Sequence, residues 1–151
     1  MTTEDVPHRQ LGVELFNRTW ELLDAGRSGD EDLDLLLAAT TSRWHWEQVG
    51  GDEQRATGDW QVARVLSTLG AGDLALRFAE RSLATVMASG VTGWRLASAH
   101  EGVARAHHVR GDTAARDEHV AAARAALADE PDAEDRDVIA DQLHDLTEDA
   151  T

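Results

Sequence analysis

The side chains able to do chemistry fall in two places. Trp44, His45 and Trp46 are consecutive, with Trp60 and Arg64 following one helical turn apart; much later, His100 is joined to Glu101. Imidazole, carboxylate and guanidinium among indoles can build an aromatic-walled pocket with polar contacts, or a base held by an acid. Metal binding is not expected. His100 and His107 share a helical face but lie about 10.5 Å apart along the axis, too far for one ion. The i, i+4 histidine pair of helical zinc sites is missing, so neither a metal nor another cofactor is expected.

Composition removes further chemistry. Cysteine is absent, which excludes disulfides and thiolates. The chain also has no lysine and no tyrosine, which excludes a Schiff base, a P-loop lysine and a tyrosine acid. All 14 basic side chains counted as cations are arginine. No nucleophile elbow, phosphate-binding glycine loop or dinucleotide fingerprint is present. The acidic stretches around residues 29–34 and 129–137 read as helix starts and solvated faces, and neither matches a calcium loop. A net charge of −15 repels nucleic-acid phosphates and anionic lipid, so neither partner is expected. No apolar run is long enough to cross a bilayer, and the polar N-terminus has no secretory h-region. A cytoplasmic location is therefore expected. The Ala-, Asp- and Arg-rich composition fits a GC-rich bacterial genome.

Those residues sit in a chain that reads as helices throughout. At 151 residues a single domain is expected, with its core over about 8–147 and frayed acidic termini. The first helix is expected over 8–25, with Val13, Phe16, Trp20 and Leu23 on its buried face. Asp30 or Asp32 is expected to cap the second, which ends at Gly50-Gly51; the polar stretch 51–60 reads as a connection or a frayed helix start. A third helix ends at Gly70. A fourth covers about 73–88, with Ala75, Phe78, Ala79, Ser82 and Val86 as its buried stripe. A fifth covers 94–109, with Leu96, Val103 and His107 along one side. A sixth carries Val120, Ala123 and Leu127, and a seventh carries Ile139, Leu143 and Leu146. Gly29, Gly70 and Gly111 recur at an interval of 41 residues, each between helix-like stretches. A fixed period of this size marks stacked helical hairpins, so the expected fold is all-α, with about seven helices in antiparallel hairpins.

Residues 69–83 and 109–127 resemble the middle of a tetratricopeptide repeat. A helix ends at glycine, and the next carries small residues at two packing positions with a larger one between them. Gly70, Ala75, Ala79 and Ser82 fit in the first copy, and Gly111, Val120 and Ala123 in the second. The interval exceeds the usual repeat of about 34 residues, and Arg116 stands where alanine is expected. Residues 42–66 also resemble a segment of small bacterial tetratricopeptide-like proteins, through Trp44, His45, Trp46, Val49, Gly50, Gly58, Asp59, Trp60, Gln61 and Arg64.

The resemblance implies a noncatalytic module that binds a peptide or protein in a groove, where Arg64 would clamp a carboxylate. Short arrays also leave apolar end faces, which favour a homodimer. The alternative is a small-molecule binder or enzyme with a pocket between the second, third and fifth helices. The candidate ligand-binding residues are His45, Trp46, Trp60, Arg64, His100 and Glu101. Trp44 and Trp46 lie about 200° apart on a helix, so they cannot share one core. Trp44, Trp46 and Trp60 are nevertheless expected mainly to pack the first hairpin on the second. Glu101 and Arg105 read as a surface i, i+4 pair, His107 as half-buried and His108 as solvated.

Overall fold

The computed structural model describes residues 6–26 and 28–148. Seven helices account for nearly all of them: α1 His8–Asp24, α2 Gly29–Val49, α3 Asp52–Thr68, α4 Gly72–Ser89, α5 Trp94–Arg110, α6 Thr113–Leu127 and α7 Ala133–Glu148. The expected frayed ends, residues 1–5 and 149–151, lie outside the described residues. Among the described residues no helix is long and apolar enough to cross a membrane.

The helix boundaries follow from local chemistry. At Gly70 and Gly111 the chain turns left-handed, with φ of 81° and 79°. In each case the next N–H closes back over the helix end, Ala71 donating to the Leu66 carbonyl at 2.8 Å and Asp112 to that of His107 at 3.0 Å. Gly29 is different. It is the first residue of α2, and Glu31 Oε1 accepts from the Ser28 N–H and hydroxyl just before it. The interval of 41 thus relates two helix ends, and the third glycine falls on it without sharing the conformation. The polar stretch after α2 is not a connection beyond Gly50-Gly51. Gln54 Oε1 accepts from the Gly51 N–H at 2.8 Å, and Asp52 and Glu53 sit in the first turn of α3, where acids suit the helix dipole.

The helices pair as α1–α2, α3–α4 and α5–α6 hairpins, and α7 closes the far end against α5 and α6. The odd helices also touch in turn, α1 with α3, α3 with α5 and α5 with α7, whereas α2, α4 and α6 do not touch one another among the described residues. The odd helices are therefore the inner layer and the even helices the outer.

Small residues set the spacing. On α4, Ala75, Ala79 and Ser82 are buried, with Phe78 and Val86 half-buried beside them. On α1 the buried face is rotated from the expected one. Gly12, Thr19 and Leu22 are buried, while Val13 is 46% exposed and Phe16 and Trp20 are half-buried on the inner side. The cause is Trp46, which α2 pushes against α1 at Gly12 and against α3 at Gly58. A Cβ at Gly12 would overlap the Trp46 indole. Ser42 adds a hydrogen bond to the Gly12 carbonyl at 2.6 Å, and Gln61 Nε2 donates to the Phe16 carbonyl at 2.9 Å, tying α1 to α2 and α3. Arg116, in place of the expected alanine, is buried and donates to His108 Nδ1 at 3.2 Å, so His108 is half-buried and not free in solvent.

One ionic knot crosses three helices. Asp59 of α3 is 1% exposed. It accepts from Arg43 Nε of α2 at 2.8 Å and from Arg81 Nε and Nη2 of α4 at 2.7 and 2.6 Å. Removing a buried charge leaves its partners uncompensated. Asp59→Asn is expected to lower the free energy of unfolding by about 3 kcal/mol in urea titrations; a loss within about 0.5 kcal/mol, the range of ordinary surface substitutions, would show the knot to be dispensable. Gly12→Ala is expected to cost about 1–3 kcal/mol through overpacking at Trp46, read as a lower thermal midpoint with a red-shifted indole emission.

Candidate functional site

One concave feature is a largely apolar pocket of about 420 Å³ at the end of the hairpins where α3 and α5 begin and α4 ends. Trp60 of α3, Trp94 of α5 and Phe16 of α1 supply its aromatic walls, with Ala56, Val86, Val91 and Ala99 between them. Each wall has a local reason for its place. Trp60 lies over α5 because Gly102 has no side chain; a Cβ there would come within 3.3 Å of the indole. Behind it, Trp20 approaches with ring centroids 5.5 Å apart. Trp94 opens α5 directly after Gly93, whose φ is 73°. The nearly buried carboxylate of Glu130 accepts from the Trp94 N–H at 2.9 Å, capping α5 from the α6–α7 loop. At the mouth, Arg95 Nη2 meets Glu53 Oε1 at 2.6 Å, linking the starts of α5 and α3, and the Arg95 guanidinium lies over the Trp94 ring.

One turn along α3 from Trp60 stands Arg64. Its guanidinium shares Glu101 with Arg105, but unequally. Arg105 Nε donates to Glu101 Oε1 at 2.9 Å, whereas Arg64 Nη1 stays 3.8 Å from the same oxygen. Glu101 is 1% exposed, so this is a buried group and not the surface pair read from the i, i+4 spacing. Two cations share one anion in a place with little water. Burial, then the charge of Arg105, holds the Arg64 guanidinium below its ordinary pKa, with Glu101 opposing. Arginine stays charged nonetheless, so the cluster keeps one positive charge in excess.

The six candidate residues therefore separate. Trp60, Arg64 and Glu101 come together on facing turns of α3 and α5. Trp46 is buried between α1, α2 and α3, with Phe16 on one side at 5.2 Å between ring centroids. His45 pairs with His8, Nδ1 to Nδ1 at 2.9 Å, beside the exposed Trp44. His100 faces α6, with its Nδ1 3.1 Å from that of His119. The cavity lies between α1, α3, α4 and α5, and α2 does not line it. Trp94 and Glu130 were not among the candidates. Trp94 carries a local signal, an indole following a glycine break, but Glu130 acts across 36 residues with no pattern to reveal it.

The histidines form their own structure. His119 lies between His100 and His107, with ring centroids at 5.3 and 5.9 Å. His107 is 8% exposed. Among the described residues no group of three or more histidine or acidic side chains is arranged to hold a metal ion. Burial first, and a neighbouring imidazole second, push the His100 and His119 pKa values down; Glu118 and Glu80 oppose this at His119. His45 is shifted the same way by burial and His8. Unfolded histidine, at about 6.5, then takes up protons more readily than the folded chain. The stack's contribution to stability is present above that value and is lost as pH falls through it. The urea midpoint of the wild type is expected to drop more steeply between about pH 7.5 and 5 than that of His100→Asn/His119→Asn. Parallel curves would remove the assignment.

Comparison with known proteins supplies no relative: no family model, curated protein or solved structure matches the chain.

Proposed function

We propose that this protein is a noncatalytic binding module of the tetratricopeptide-like type, which receives a peptide segment of a partner on its inner layer. An apolar side chain of the peptide enters the pocket between Trp60 and Trp94, and an anionic group of the same segment rests on Arg64. The observation that carries this reading is the pairing of an apolar aromatic pocket with a part-neutralised arginine one turn away. A carboxylate there satisfies guanidinium donors that Glu101 leaves at 3.8 Å.

The chemistry of the lining supports binding over catalysis. Ser82 donates to the Ala56 carbonyl, Thr85 to that of Arg81 and Ser89 to that of Val86, so three of the pocket hydroxyls are engaged with main chain. No histidine lines the pocket to activate a hydroxyl. A cavity of about 420 Å³ also falls in the small-ligand range, which favours a small apolar acid as the second reading.

Both readings are tested by selection from a displayed random peptide library, followed by fluorescence titration of the enriched sequences. Enriched peptides are expected to share a bulky apolar residue close to a carboxylate. Trp94→Ala and Arg64→Ala are each expected to weaken binding about tenfold or more, with His45→Ala unchanged. Binding indifferent to both replacements would remove this site. Absence of enrichment, with a small aromatic carboxylate quenching Trp60, would select the second reading.

A further inference from the structure

Helix α5 begins without a cap of its own. The residue before it is Gly93, which has no side chain to accept from the first turn. Glu130 takes that role from the 128–132 loop between α6 and α7, with Oε2 2.9 Å from the Trp94 nitrogen. The fit is close, since a Cβ at Gly93 would lie 2.6 Å from the same oxygen. Glu130 is buried, so little water reaches it to replace its partners.

The other half of the carboxylate faces α7. Glu130 Oε1 accepts from the Asp132 N–H at 3.0 Å. Asp132 Oδ1 accepts in turn from the Glu134 and Asp135 N–H groups at 2.9 and 3.2 Å, capping α7. Arg136 of α7 donates to the Glu130 carbonyl at 3.1 Å. One residue thus joins the first turns of α5 and α7. Its place depends on the docking of α7, whose buried Ile139, Leu143 and Leu146 cluster with Ala97 of α5 and with Val120 and Leu127 of α6.

On the pocket side, residues 90–93 join α4 to α5, and Gly90 and Gly93 at their ends have positive φ, of 76° and 73°. Ser89, Val91, Trp94 and Arg95, in this loop and beside it, line the pocket. Glycines at both ends let such a segment absorb backbone rotation. The ion pair of Arg95 with Glu53 is exposed and restrains it little. Glu130 is the buried tie.

We propose that Glu130 is a positioning residue of the pocket, holding the Trp94 wall only while α7 is docked, so that the pocket and α7 open and close together. By linkage, a ligand gripped by Trp94 stabilises the docking of α7 by the same factor by which docked α7 tightens the ligand. The pocket's role as a binding site rests on the proposed function; the coupling does not.

Two measurements on the full chain without ligand test it. Amide hydrogen exchange by NMR reads the bond, because the Trp94 N–H, at a helix start, owes its protection to Glu130. Leu143 does not line the pocket. Leu143→Ala is expected to speed exchange of the α7 amides about thirtyfold or more, and that of Trp94 by the same factor, with α3 unchanged. If Leu143→Ala loosens the whole chain, Asp132→Ala at the exposed cap decides, with about fivefold expected at both places. An unchanged Trp94 rate while α7 exchange accelerates overturns the proposal. Fluorine NMR of the 5-fluorotryptophan-labelled chain reads the wall, its Trp94 resonance assigned with Trp94→Phe. Glu130→Ala and Leu143→Ala are each expected to displace that resonance, and the double variant to displace it no further. Additive displacements would show α7 reaching Trp94 through Ala97 instead, and also overturn it. Coupling without any enriched peptide removes the proposed function and leaves this proposal standing; enriched peptides without coupling do the reverse.

Discussion

A carboxylate with almost no access to water cannot stand alone, and Asp59 imposes that condition on half of the molecule. Its charge is tolerated because α2 and α4 each deliver an arginine to it. The first hairpin is thereby held to the second through α3. Guanidinium suits this task because its planar fork meets a carboxylate oxygen by oxygen, as Arg81 does with Asp59. Buried ion pairs add little over a well-packed apolar substitute, but they penalise any arrangement in which a partner is missing. The knot acts chiefly as a selector of one packing.

Around it, shape comes from glycine and tryptophan in opposition. Trp46 fits against α1 only because Gly12 lacks a side chain, and the Trp60 indole packs closely on α5 because Gly102 does. The first contact fills the core, and the second leaves an indole half-exposed on a pocket wall. The same device gives opposite outcomes because Trp46 is enclosed by three helices, while Trp60 stands where α3, α4 and α5 splay at their common end.

Glu101 repeats the Asp59 arrangement in a looser form. One buried acid again serves two arginines, but here the second arginine is held at a distance. A saturated cluster is structural; one with a cation to spare can receive an anion. That difference of about one ångström in reach separates the knot that holds the fold from the group proposed to bind.

Much of the architecture was legible in sequence because it follows from local rules. The seven helices are set by apolar spacing at 3.6 residues, by glycines that alone adopt positive φ at Gly70 and Gly111, and by acids at helix starts. The absence of cysteine, lysine and tyrosine bounded the chemistry in the same local way. Neighbours decided the rest. Gly29 lies on the 41-residue interval yet begins a helix; Glu101 and Arg105 have surface spacing yet are buried under Arg64. His100 finds its partner on α6, and Trp94 is held by a carboxylate 36 residues away. Periodicity states which face of a helix is apolar; it does not state which helix will meet that face. Sequence alone determined the helices and their order, while the pocket and the uneven sharing of Glu101 exist only once the hairpins are stacked, because they depend on which helix meets which face.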